Sequence, residues 1–354
     1  MDNVTRLESK LKIACVADHF MNESFYTAAL KDFDDFELIG ISYFGAHTRE
    51  EMRAMADRIE KVGAESYAPP AELYSHIKEA DVLMVHLCPV SRKLMESAPK
   101  LKYILTNRGG LENIDVEAAR DLGIRVINNP AHNSNAVAEL ALCLMICETR
   151  NVARANKDLK AGIWREDFPN YGRVFELRGQ TIGLIGFGNI GRLVAEKLVP
   201  FGAKVITTDP AVSIDDPDLA RLGVKLVDLD TLLKTSDIVS LHARSLKKEL
   251  ILDEREFALM RPTSTFINTA RAYMVNYDAL ARALFEKRIN GAALEVFPTE
   301  PIPSDSPFLK LDNVTLTNHR GGDTVNCYSD SPAALLVALV EMITCGKTPK
   351  FLVV

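Results

Sequence analysis

No apolar run in this chain comes near the roughly 20 residues that cross a bilayer; the strongest, at residues 140–147 and 333–340, stop well short. A membrane span is therefore not expected. The N-terminus, MDNVTRLESK, mixes both charge signs and lacks the basic start and apolar core of a secretory signal, so a cytoplasmic protein is the simplest expectation. Cysteine is sparse and scattered: Cys15, Cys88, Cys143, Cys147, Cys327 and Cys345 form no CxxC pair and no zinc spacing. Buried, reduced thiols are expected, and no metal is called for. Positive charge is not in surplus either. With 42 Lys and Arg against 48 Asp and Glu, the formal net charge is -6, and the clustered cations that phosphate backbones require are missing. The partner is expected to be a small molecule. Low-complexity tracts and short-period repeats are absent as well.

What is present is an ordinary globular composition, 47% hydrophobic and 25% charged over 354 residues, a length that suggests two domains with full cores. Short β-rich runs alternate with helical patterns, which is how a parallel sheet with crossover connections is written in sequence. The first series reads KIACVAD, ELIGISYF, DVLMVHL, LKYILTN and IRVINN; the second reads TIGLIG, KVITTDP, IVSLHA, STFINTA, GAALEVF and VTLTNH. The fold class is thus α/β, with two doubly wound parallel-sheet units. Between them lies NSNAVAELALCLMICETRNVARANKDL, a helical stretch that Asn133 or Ser134 can cap. Its residues 140–147 are apolar on nearly every face, which predicts cover from neighbours all round, including a subunit contact. The last helical segment, SPAALLVALVEMITCGK, follows the completed second sheet and is expected to return to the first domain, with crossings near residues 133 and 324. The expected division is residues 1–133 with 324–354, and 134–323.

The string TIGLIGFGNIGRLVAEKLV gives the glycines a mechanism, because Gly186, Gly188 and Gly191 follow an apolar strand and open a helix. Gly186 suits the tight turn, Gly188 the approach of a pyrophosphate to the backbone, and Gly191 the close packing of helix on sheet. The pyrophosphate is expected near the backbone N–H groups of Asn189 and Ile190 at the positive helix end. The next strand ends at Asp209, 18 residues after Gly191, where a ribose-binding acid belongs. A carboxylate there repels a 2'-phosphate, and no Arg follows within ten residues. NAD is favoured over NADP.

Three later strings end where parallel strands end, the edge at which such sheets bind ligands. FINTARAYMV offers Arg271, GAALEVFPTEP offers Glu295 and Glu300, and VTLTNHRGG offers His319. For hydride transfer to a 2-keto acid, a planar guanidinium suits the substrate carboxylate, and imidazole suits the proton the carbonyl oxygen needs. A carboxylate beside the imidazole favours its protonated form and fixes its tautomer. Arg271, His319 and Glu300 match these roles.

Taken with LKYILTNRGGLENIDVEAARDLGIRVINNP and NSNAVAELAL, these motifs cover nearly the whole chain, which resembles the D-isomer-specific 2-hydroxyacid dehydrogenase family, including its phosphoglycerate dehydrogenases. The resemblance implies a Rossmann NAD-binding domain inserted in a flavodoxin-like substrate-binding domain. It also implies a catalytic trio of Arg271, Glu300 and His319, and a substrate carboxylate held by Arg271 and the backbone of Arg108, Gly109 and Gly110. Cofactor contacts are implied at Gly186, Gly188, Asn189, Ile190, Gly191, Asp209, Ala243, Arg244, Thr269, Ala270, Glu295, Gly321 and Gly322. A homodimer formed largely by the cofactor domains, with a cleft that closes between domains, is implied too.

Several positions depart from the family pattern. Glu295 replaces an Asp that contacts the nicotinamide amide, and its longer side chain is expected still to reach that group. Asn318 replaces a Pro, Ala272 a Gly, and the RGGLENID loop is one residue short. LHAR stands in place of a His-x-Pro turn, which puts Arg244 near the cofactor as a contact for a phosphorylated or sugar-derived acid. Arg92 and Arg108 are further candidate anion contacts, and His86 and His132 candidate lining residues. The expected activity is NAD-dependent interconversion of a D-2-hydroxy acid and its 2-keto acid. The alternatives are an NAD-sensing, corepressor-like binding protein and, less in keeping with Glu300, a formate dehydrogenase, which pairs its His with Gln.

Overall fold

The computed structural model describes residue 7, residues 9–244 and residues 249–354. The chain folds into two compact units, one of residues 1–133 with 324–354 and one of residues 134–323. The first unit holds a parallel sheet of β1 (Leu11–Ala17), β2 (Phe36–Tyr43), β3 (Val82–Val85), β4 (Tyr103–Thr106) and β5 (Arg125–Asn128), in the order β2-β1-β3-β4-β5. This is the flavodoxin-like order. The central strands are apolar and buried on both faces, as β3 is at all four residues, because helices cover both sides of a parallel sheet. The tail pairs with β5 in antiparallel fashion through Ile127 and Leu352, with the Val353 N–H donating to the Val126 carbonyl. The repetition of crossover units did not announce that pairing.

Residues 325–345 are long and apolar enough to cross a membrane by length and composition alone. In the fold they form the helices Val325–Ser329 and Ser331–Cys345, whose Leu335, Leu336, Leu339 and Val340 are buried with Ile13, Met84 and Leu105 in the core of the first unit.

The second unit contains β6 (Thr181–Ile185), β7 (Lys204–Thr208), β8 (Lys225–Leu226), β9 (Ile238–Leu241), β10 (Thr265–Asn268), β11 (Gly291–Leu294) and β12 (Val314–Leu316). Their order, β12-β11-β10-β9-β6-β7-β8, is the doubly wound Rossmann arrangement with one strand added at an edge. The two-residue β8 carries too little pattern to stand out in sequence. The expected single helical stretch divides into Ser134–Thr149 and Val152–Lys160. Asn151 turns between them at φ 58, and its side-chain amide donates to Asn170 Oδ1 at 2.7 Å. Ala141, Leu144 and Met145 are buried in the second core, whereas Cys143 is exposed. The expectation of buried thiols holds for Cys15, Cys88 and Cys327; Cys147 is half-buried and Cys345 is exposed.

Candidate active site

The glycine loop joins β6 to the helix Asn189–Leu198. Gly186 has φ 99, and a Cβ there would lie 2.5 Å from the Ala243 nitrogen, so this turn admits no side chain. A Cβ on Gly191 would lie 2.2 Å from the Gly186 carbonyl oxygen. Gly188 differs: nothing lies within 4 Å of its Cβ position, which leaves open space before the helix start. No side chain caps that helix, so the positive end that Asn189 and Ile190 open is suited to a pyrophosphate. Asp209, at the end of β7, accepts from the Phe187 N–H at 2.8 Å and the Ala211 N–H at 2.9 Å, which locks the carboxylate beside the loop. Arg192, also on this helix, is spent on Asp216 and Asp218 at 2.7 Å. Its hydrogen bonds hold Asp216 down at about 2. These residues fit a dinucleotide with a free ribose: a turn without side chains, an open approach, an uncapped helix end and an acid at the neighbouring strand.

The residues after β9, β10, β11 and β12 form the rest of the site. These strands are adjacent and parallel, with Leu241, Asn268, Leu294 and Leu316 in register, so their following loops emerge side by side. Ala243 packs on Gly186, and Arg244 is exposed beside it. Thr269 and Ala270 are buried, and the Ala270 N–H donates to Asn268 Oδ1 at 3.0 Å. Arg271 is exposed at the mouth of β10, where its Nη1 donates to the Ala270 carbonyl at 2.8 Å. Glu300 and His319 meet: Nδ1 of the imidazole lies 2.7 Å from Oε2 of the carboxylate. Oε1 accepts from the Phe297 N–H at 2.8 Å, which fixes the carboxylate from its other side. Both side chains remain partly open to solvent, as a pair that exchanges a proton with a substrate must be.

Glu295 does something other than expected. It is buried, and its carboxylate accepts from the Thr317 hydroxyl, the Arg320 N–H and, at 2.7 Å, the Gly321 N–H. The extra methylene relative to Asp carries the carboxylate past its strand end to the turn after β12. There it braces the backbone that follows His319, which has φ 53, a left-handed conformation uncommon outside glycine. Gly321 also packs closely, since a Cβ there would lie 2.8 Å from Leu140 Cδ2. Gly322 lies next to it in the same half-buried turn.

In the first unit, the Arg92 guanidinium pairs with Asp121 at 2.5 Å, and Arg108 pairs with Glu60 at 3.1 Å and Glu112 at 3.7 Å. Their charges are already matched within the protein. The backbone N–H groups of Arg108, Gly109 and Gly110 donate to no acceptor among the described residues, an arrangement suited to binding an anion. His132 Nδ1–H donates to the Asn129 carbonyl, 2.9 Å away, and burial lowers its pKa.

His242 was not legible as a site residue, and neither was the partner of His86, itself a candidate lining residue. His242 is buried beneath the glycine loop, 2.9 Å from Ser240 Oγ through Nε2, and burial depresses it to about 4. The LHAR string drew attention to Arg244 instead. In the first unit, His86 pairs with Asp18 at 2.9 Å, 68 residues away in sequence.

Residues 142–321 match the family model for the NAD-binding domain of D-isomer specific 2-hydroxyacid dehydrogenases. The chain belongs to this family. It is 37% identical over 300 residues to the hydroxypyruvate reductase of Thermotoga maritima, covering 83% of this chain and 91% of that protein. It is 41% identical over 257 residues to the D-3-phosphoglycerate dehydrogenase of Methanocaldococcus jannaschii, covering 72% of this chain but 48% of that protein. The chain therefore spans about half the length of this phosphoglycerate dehydrogenase. Its fold is also that of the NAD-complexed D-isomer specific 2-hydroxyacid dehydrogenase of Lactobacillus delbrueckii ssp. bulgaricus, with a TM-score of 0.74, 24% identity and coverage of 97% and 100% of the two chains.

Proposed function

We propose that this protein is an NAD-dependent dehydrogenase that interconverts a D-2-hydroxy acid and its 2-keto acid. The observation that carries the reading is the 2.7 Å contact between His319 Nδ1 and Glu300 Oε2, on a loop beside the one that bears Arg271. When bound, NAD supplies or accepts the hydride. The protein's own residues do the rest. With Nδ1 committed to Glu300, Nε2 of His319 is the atom that gives its proton to the carbonyl oxygen during reduction and takes it back during oxidation. Glu300 holds the ring in that tautomer and offsets the positive charge of the imidazolium. Arg271 on the second unit and, on the first, the N–H groups of Arg108, Gly109 and Gly110 are each suited to a carboxylate. On this reading the first unit is the substrate-binding domain.

The family relatives include a hydroxypyruvate reductase and a D-3-phosphoglycerate dehydrogenase, so the acid itself is a finer question. A phosphorylated or sugar-derived, phosphoglycerate-like substrate rests on Arg244 and on Arg108, whose Nη1 is buried without a hydrogen-bond partner among the described residues, because Arg92 is already paired. A homodimer through the cofactor domain is supported by apolar side chains left exposed along one stretch of that domain, including Leu159, Ile163, Trp164, Tyr171 and Phe175. A cytoplasmic setting is supported by six free cysteines.

The test is NADH oxidation by the purified protein across glyoxylate, pyruvate, hydroxypyruvate and phosphohydroxypyruvate, with chiral analysis of the product. Turnover of at least one acid to a D product supports the reading. Tight NADH binding with no turnover of any acid overturns it in favour of an NAD-sensing binding protein.

A further inference from the structure

The Asp18–His86 pair lies outside the machinery described above. Asp18 follows β1 and His86 follows β3, neighbouring strands of the first sheet, so both sit at its carboxyl edge. Asp18 is thoroughly anchored. Its Oδ1 accepts from the Phe20 and Met21 N–H groups at 2.9 Å, and its Oδ2 accepts from His86 Nδ1 at 2.9 Å and the Leu87 N–H at 3.2 Å. Burial alone would raise this carboxyl, but the charge and hydrogen bond of His86, together with the two backbone donors, bring it below its ordinary value. The imidazole stands edge-on to two mutually stacked rings, its centroid 6.3 Å from Phe20 and 5.8 Å from Tyr328, which lie 6.1 Å from each other. The Arg49 guanidinium stands over the Phe20 ring, 5.7 Å from its centroid.

The ring is thus fixed in position and its side chain is only 9% exposed, yet Nε2 has no hydrogen-bond partner among the described residues. A core histidine held for packing alone normally satisfies its second nitrogen. The register pairs Val85 with Thr106, so His86 emerges one strand away from the loop of Arg108, Gly109 and Gly110. Adjacent strands lie about 5 Å apart. That is the scale of the distance from a carboxylate to a substituent on the third carbon of a short acid.

We infer that the Asp18–His86 pair is a specificity site for an oxygen-bearing third carbon of the substrate, through a hydrogen bond between His86 Nε2 and a substrate hydroxyl. The inference rests on the dehydrogenase reading above. A hydroxyl is the group the site accommodates best, because it donates to a neutral Nε2 and accepts from a protonated one. A methyl group in its place covers that nitrogen and leaves it unpaired, and a site built around a hydroxyl rejects the analogue that lacks it. The 3-hydroxylated 2-keto acid is therefore preferred over its 3-deoxy counterpart.

The experiment compares kcat/KM for hydroxypyruvate and pyruvate with NADH, in the wild type, in His86→Asn and in His86→Gln. An Asn amide takes the place of Nδ1 toward Asp18 and has nothing at the Nε2 position, whereas a Gln amide reaches the Nε2 position. The wild type is expected to prefer hydroxypyruvate. His86→Asn is expected to cut that preference on the order of 10- to 100-fold, the cost of one lost hydrogen bond to a polar group in a buried site, while Gln retains part of it. The cooperative melting transition of each variant, with its NADH binding, shows that both units are folded. Turnover of both acids with no preference in the wild type, or an unchanged preference in His86→Asn, overturns the inference and leaves the dehydrogenase reading standing. No turnover of any 2-keto acid by wild type that binds NADH overturns that reading, and this inference with it.

Discussion

Replacing Glu295 by Ala removes the acceptor of three donors at once: the Thr317 hydroxyl and the Arg320 and Gly321 N–H groups. A donor left without a partner costs about 1–3 kcal/mol. Two of the three belong to a partly solvated backbone, so the total is expected near the lower end, about 3 kcal/mol. His319, at φ 53, gains the freedom to leave its left-handed conformation. Hydrogen exchange followed residue by residue gives the direct assay. The Arg320 and Gly321 amides should lose about 30-fold of their protection, equivalent to about 2 kcal/mol of local opening. The Thr317 amide, which donates to the Leu294 carbonyl at 3.0 Å, should change little. The kcat for keto-acid reduction should fall by about 100-fold, the cost of misplacing a reacting group by about 1 Å, with NADH affinity little altered. Glu295→Gln keeps an oxygen for both N–H groups and should lie between the two. The reasoning is refuted if Glu295→Ala weakens NADH binding tenfold or more while the Arg320 and Gly321 amides keep their protection, because Glu295 would then serve the nicotinamide.

Other consequences are equally open to measurement. Gly188→Ala has room for its methyl group and should alter stability by no more than about 1 kcal/mol, yet NADH titration should show weakened binding, because that open space is where the cofactor approaches. Gly186→Ala meets the Ala243 nitrogen at a positive φ and should lower the melting temperature as well. Glu300→Gln should reduce kcat by about 10- to 100-fold in steady-state assays, with NADH affinity intact. His242, depressed to about 4 from 6.5 in the fold, makes the folded state bind fewer protons than the unfolded one between those values. Its neutral form therefore contributes stability that is complete above pH 6.5 and is lost as pH falls toward 4, by about 3 kcal/mol; urea titrations of His242→Asn should show a shallower decline across that window.

The architecture was largely legible because parallel strands buried on both faces leave unbroken apolar runs, as in DVLMVHL and STFINTA, and crossover helices separate them. Elements held by tertiary context were not. The two-residue β8 has no pattern of its own, and the tail residues FLVV pair with β5 only because the returning helix delivers them there. The glycine loop and the His319 and Glu300 strings carried their chemistry in residue type and spacing. The destination of the Glu295 carboxylate depended on one methylene and on the turn after a neighbouring strand, which spacing does not describe. Asp18 and His86 are 68 residues apart, and they meet because the sheet order sets β1 beside β3.

The central claim is that His319 delivers the proton that accompanies hydride transfer. Single-turnover mixing of NADH-loaded protein with an accepted 2-keto acid, wild type against His319→Ala, tests it most directly. The variant is expected to bind NADH as the wild type does and to transfer hydride about 100- to 10,000-fold more slowly, the range for loss of a general acid. Hydride transfer at the wild-type rate in His319→Ala would contradict the account.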